Sequence, residues 1–228
     1  MRTALSALLL IAFLCAVSAS GAAKSPLDLQ QTDAALGALE PIIGDFPPNV
    51  HSDVEKKAVE RRYRKLERTL DALVAKNPRD AGLLLRRGEL HCMGHNLDVP
   101  GAWKKAEADL KEVIALEPRN ERAILELGTL YVNTNPIYAP KAEALFLQAL
   151  KIRGNGPPLE VAHRGLMFAC YYRGKMKEAL AEAELLVRLQ PSNTSYRKLV
   201  TVHRRVKLCL RSEKEPAPAR RKRKHEEA

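Results

Sequence analysis

Two short stretches, Leu127-Gly128-Thr129-Leu130-Tyr131 and Ala142-Glu143-Ala144-Leu145-Phe146, decide the fold of this 228-residue chain. Each sets small residues among large apolar ones, and the second has counterparts elsewhere. Ala106, Ala142 and Ala179 recur 36 and 37 residues apart. Leu110, Phe146 and Ala183 lie four residues beyond them, and Val113, Ala149 and Leu186 three further on. Self-similarity at this period is the signature of stacked helical hairpins. Small residues at fixed places let paired helices approach closely, and large residues fill the gaps between neighbours. Pro118 and Pro191, each twelve residues after an alanine of the set, stop the second helices. One hairpin alone leaves an apolar face bare, so the units are stable only as a stack.

The pattern extends outward from this centre. Val59, Tyr63, Leu66, Leu70 and Leu73 mark one face of a helix. Ser52-Asp53-Val54-Glu55 opens it as a capping box, and Asn77-Pro78 ends it, which reads as half of a worn earlier repeat. Residues 196–210 predict a terminal capping helix with Arg197, Lys198, Arg204, Arg205 and Lys207 toward water. Upstream, residues 27–39 form a modest helix, and Pro41, Pro47 and Pro48 close it and make a linker. The chain therefore divides into a leader (1–22), an N-terminal helix and linker (23–52), a helical repeat domain (53–212) and a disordered basic tail (213–228). Hydrophobic residues are 46% of the chain but aromatics only 5%, so the apolar content suits helices better than sheet.

With Leu127-Gly128, Tyr131, Ala142 and Phe146 in the middle repeat, Gly88, Ala106 and Pro118 in the first, and Leu166, Gly174, Ala179 and Pro191 in the last, the sequence resembles the tetratricopeptide repeat (TPR) family. The resemblance covers residues 80–191 and implies an all-α, right-handed solenoid of about three TPR-type hairpins plus flanking helices. It has departures. Arg87 stands where the family carries a large apolar residue, Met167 stands where it carries glycine, and the first repeat has about six extra residues in the stretch 94–101.

The resemblance also implies a function: a non-catalytic scaffold that holds a partner protein or peptide in its concave groove. Carried over by register, the first helices offer Leu85 and Glu89, then Arg122, Leu125, Thr129 and Asn133, then Arg164, Phe168, Tyr171 and Tyr172. The last eight are the candidate partner-binding residues. Phe168, Tyr171 and Tyr172 cluster in a chain poor in aromatics, and tyrosine supplies contact area at low entropic cost. The bland alternative is that these rings pack on the capping helix. Leu85 and Glu89 occupy places where some TPR domains use Lys and Asn to clamp a chaperone's terminal carboxylate, so that clamp is not expected.

Other features bound the function further. Arg2 followed by the apolar residues 4–16 and small residues reads as a cleaved export signal, hence a periplasmic or secreted protein; an uncleaved membrane anchor is the alternative. Three cysteines would then remain, Cys92, Cys170 and Cys209, too sparse for a disulfide framework and expected as free thiols. His91-Cys92-Met93-Gly94-His95 has metal-ligand residue types, but Gly94 is expected to end the helix and break the one-turn spacing of the histidines, so no metal site is assigned. Asn193-Thr194-Ser195 has the pattern of a glycosylation acceptor. No phosphate loop, nucleophile elbow or zinc-protease motif occurs, so no enzyme activity, cofactor or small-molecule substrate is expected. The net charge of +11 and the run Arg220, Arg221, Lys222, Arg223 and Lys224 raise an alternative: the tail contacts nucleic acid or an anionic surface.

Overall fold

The computed structural model describes residues 26–212, with side chains described from 29 to 206. The leader and the basic run at 220–224 lie outside the described residues. The order is helical throughout: α1 (Pro26–Gly37), α2 (Glu40–Ile43), α3 (Asp53–Lys76), α4 (Ala81–Asn96), α5 (Ala102–Leu116), α6 (Glu121–Thr134), α7 (Ala139–Arg153), α8 (Glu160–Tyr172), α9 (Met176–Leu189) and α10 (Thr194–Ser212), with a 3-10 turn at Pro136–Tyr138. No strand occurs among the described residues. Three hairpins, α4–α5, α6–α7 and α8–α9, stack in series between α3 and α10.

Local chemistry sets the helix starts. Ser52 accepts a hydrogen bond from the Glu55 backbone N–H at 3.2 Å, while the Glu55 carboxylate takes the His51 N–H at 2.9 Å. Asp80 and Asn120 cap α4 and α6 by accepting from the backbone N–H groups of Leu83 and Ala123, at 2.9 and 3.0 Å. Each cap satisfies a donor that the first helical turn leaves free.

The repeat register appears directly in the packing. Ala106, Ala142 and Ala179 are all wholly buried, as are Leu110, Phe146 and Ala183, and Val113, Ala149 and Leu186. Phe146 shows why small residues matter. A Cβ at Gly128 of α6 would lie 2.9 Å from its ring, and one at Gly165 of α8 only 2.1 Å from it. The ring is clasped between two first helices that only glycine lets come so close. Position 167 needs no glycine, because its own hairpin's second helix presents small Ala183; Met167 fills that space and is buried with Ala183, Leu186 and Tyr196 beneath α10.

Two expectations change. Pro41 opens α2 rather than closing a helix, and Leu39 and Ile43 are buried against Val59, Tyr63, Leu70 and Leu90. The stretch read as a linker is therefore packed on α3 and α4. Gly94 does not end α4, which continues to Asn96. A Cβ there would meet the Tyr63 hydroxyl at 2.5 Å, so the glycine serves a helix crossing, not a stop. Arg87, out of place in the family pattern, holds both carboxylate oxygens of Asp109 on α5 at 2.7 and 2.9 Å and reaches Asp71 on α3 at 3.1 Å. An ionic bracket across three helices replaces the usual apolar contact.

Candidate functional site

The first helices α4, α6 and α8 touch one another in succession and form one wall of the stack. At its N-terminal end, α1 and α2 lie against α4. Asp33 takes two hydrogen bonds from the Arg86 guanidinium at 2.6 and 2.8 Å, which holds its carboxyl below the usual range. Between these elements lies a cleft of about 430 Å³ whose lining includes Leu36, Glu40, Leu85, Glu89, Arg122 and Glu126.

Glu89 is buried, and burial pushes its carboxyl up to about 7 against the pull of Arg122. Arg122 donates to Glu89 Oε2 at 3.0 Å, tying α6 to α4, while 69% of its own side chain stays exposed. Glu126 is raised in the same direction, also mainly by burial. Leu85 and Glu89 are thus committed to the end of the wall that α1 and α2 partly cover. Asp33, Glu40, Arg86 and Glu126 take part there although no sequence signal singled them out; the pairing of Asp33 with Arg86 spans 53 positions and has no local signature.

Farther along the wall the surface is more open. Leu125 and Thr129 are half-buried on α6, and Asn133 is exposed at its end. On α8, Arg164 is half-buried, and Phe168 is half-buried where it joins the central and C-terminal core clusters. Tyr171 and Tyr172 are 37% and 42% exposed and meet edge to face, with ring centres 5.8 Å apart. Tyr171 also meets His203 of α10 edge to face at 5.3 Å. The aromatic cluster therefore divides: Phe168 belongs to the packing, Tyr171 rests on the capping helix, and both tyrosines keep area open to solvent.

The histidines of the metal-like stretch point to separate partners. His91 is buried with Nδ1 3.0 Å from the Tyr63 hydroxyl, and its protonation is disfavoured chiefly by burial. His95 Nε2 lies 3.3 Å from the Thr134 hydroxyl. Cys92 and Cys170 are free thiols; burial raises Cys170 to about 11 and Cys92 well above the ordinary thiol value. No group of three or more His, Cys, Asp or Glu residues suited to hold a metal occurs among the described residues. No helix among them is long and apolar enough to cross a membrane.

The fold has solved counterparts. A thermophilic TPR protein from Thermus thermophilus is similar over 78% of this chain and 92% of its own, with a TM-score of 0.50 and 22% identity. A tetratricopeptide repeat protein from Parabacteroides merdae matches over 84% and 77%, with a TM-score of 0.51 and 16% identity. No family model and no curated protein matches the sequence. At these identities the likeness concerns architecture, and the chain has the TPR-type fold.

Proposed function

We propose that the chain is a non-catalytic scaffold that holds a partner protein or peptide on the wall built by α6 and α8. The residues assigned to that contact are Arg122, Leu125, Thr129, Asn133, Arg164, Tyr171 and Tyr172, with half-buried Phe168 supporting the two tyrosines from the packing. The observation that carries the reading is the exposed edge-to-face pair of Tyr171 and Tyr172 at the end of a first helix. Large amphipathic rings held in place by neighbours lose little entropy when a partner covers them. Arg122, fixed by Glu89 yet largely exposed, adds a preorganised cation at the other end of the wall.

A photo-crosslinking residue tests this when placed in the full chain at Tyr172 or, as a control, at Leu147, which is 52% exposed on α7. The reading expects one defined protein adduct from position 172, lost on Tyr171→Ala with Arg122→Ala, and none from position 147. Equal labelling from both positions, or labelling unaffected by the substitutions, contradicts it.

A further inference from the structure

The longest helix carries a surface that the partner wall leaves unused. On α3 the buried residues Val59, Tyr63, Leu66, Leu70 and Val74 repeat at helical spacing and face the core. Lys57, Arg61, Arg64 and Arg68 repeat at the same spacing two positions earlier, which puts them on the opposite side; all four are exposed. Val54 continues the series at its N-terminal end, since steps of three and four residues along a helix keep one face. The cations span about 17 Å along the axis at 1.5 Å per residue.

Three acids of α3 are engaged elsewhere: Glu55 caps the helix start, Glu67 takes the Lys105 ammonium at 2.8 Å, and Asp71 takes Arg87 at 3.1 Å. Glu60 lies among Lys57, Arg61, Arg64 and Arg68, and Asp53 stands one turn before Lys57. Arg64 approaches Glu67 at 3.6 Å, while Lys57, Arg61 and Arg68 have no ion pair among the described residues. The stripe thus carries four cations on one face, three of them without an ion pair among the described residues, and a net positive charge.

Its N-terminal end is apolar and open: Val54 is 78% exposed. A row of cations ending in an exposed apolar side chain matches a bilayer surface, where lipid phosphates meet the charges and the apolar side chain enters the boundary with the acyl chains. Nucleic acid fits less well, because the stripe has no aromatic ring to stack a base and exposed Val54 adds nothing to contact with a phosphate backbone. We infer that the outer face of α3, with Lys57, Arg61, Arg64 and Arg68 and the apolar Val54, docks the protein on an anionic phospholipid surface. This inference is independent of the partner wall, because α3 turns these residues away from the stack.

Sedimentation of the full-length protein with phosphatidylcholine vesicles, with and without phosphatidylglycerol, tests the assignment. An apolar leader partitions into either vesicle, so the difference between the two reads the charge. The expected result is an increment of binding, over that to phosphatidylcholine alone, that needs phosphatidylglycerol and weakens with salt. It falls by about tenfold or more in the variant Lys57→Gln/Arg61→Gln/Arg64→Gln/Arg68→Gln. Val54→Asn lowers binding while leaving its salt dependence in place. Far-ultraviolet circular dichroism establishes that each variant keeps its helix content. Binding that survives the quadruple substitution, or that vanishes only when residues 220–224 are neutralised, overturns the inference. So does duplex DNA binding of equal strength that ignores Val54.

Discussion

Replacing Gly165 with alanine puts the stacking geometry under direct strain. The added methyl would lie 2.1 Å from Phe146 Cζ and 2.2 Å from Cε2, well inside van der Waals contact. Phe146 is wholly buried, and its other edge faces Gly128, where a Cβ would already be 2.9 Å away. The ring therefore has no free direction, and the substitution forces α8 away from α7. Overpacking of this kind costs roughly 1–3 kcal/mol. The gain in helix propensity on leaving glycine offsets about 1 kcal/mol at most. The expected net loss is about 2 kcal/mol. Phe146→Ala alone costs roughly 3–5 kcal/mol, but it also removes the obstacle. In the double variant the methyl enters vacated space, and Gly165→Ala becomes neutral or slightly stabilising. A double-mutant cycle by urea denaturation then gives a coupling of about 2 kcal/mol or more. Additive effects, or a Gly165→Ala protein as stable as the parent, would refute the clasp and with it the close approach of α6 and α8.

Restoring the family pattern at position 87 should do harm. Arg87→Leu leaves Asp109 buried without its cation, and the expected cost is about 3 kcal/mol in chemical denaturation; adding Asp109→Leu recovers most of it, and a lone Arg87→Leu that stabilises the protein argues against the bracket. Glu89 should make stability depend on pH. Its folded value, about 7, lies above its ordinary value of 4.5, so the folded state keeps a proton that the unfolded state has released between those values. That contribution is complete below about 4.5 and is lost as pH rises through about 7, on the order of 3 kcal/mol at most. Glu89→Gln removes this slope and is the more stable form at pH 8; parallel pH profiles for variant and parent would contradict the burial of that carboxyl.

The repeat was legible because its cause is local and periodic. Ala106, Ala142 and Ala179 must be small wherever a second helix meets a first, so one constraint is written three times in the chain. Position 165 escaped notice because its partner is the Phe146 ring of the preceding hairpin, a contact between hairpins that the spacing within one does not display. Gly94 misled for a related reason. Its partner, Tyr63, lies 31 positions away on another helix, so a glycine required by a crossing looks like one that stops a helix. The prolines near α2 likewise carry no sign of Leu39 and Ile43 settling into the core, since a helix of four residues has no period to read. On the binding wall, the register assigned Tyr171 and Tyr172 to α8, but not that Phe168 would be drawn into the packing or that α1 would cover the opposite end.

Charge follows a different logic. The sequence displays the cations of α3 openly, yet their meaning depends on where the neighbouring acids go. Glu67 and Asp71 look like local partners for Arg64 and Arg68, one helical turn away. In the fold, Lys105 and Arg87 take those carboxylates from outside the helix. A surface ion pair within one helix contributes only a few tenths of a kcal/mol, whereas Asp71 joins Arg87 in the bracket that also holds buried Asp109. The stronger network takes the acids, leaving Arg68 without an ion pair among the described residues and Arg64 with only a 3.6 Å approach to Glu67. The exposed charge of α3 is thus a consequence of how the first hairpin is locked to the helix before it. A change that breaks the bracket should therefore weaken the stripe as well, because Asp71, once released, is free to turn back toward Arg68 and lower the local positive potential.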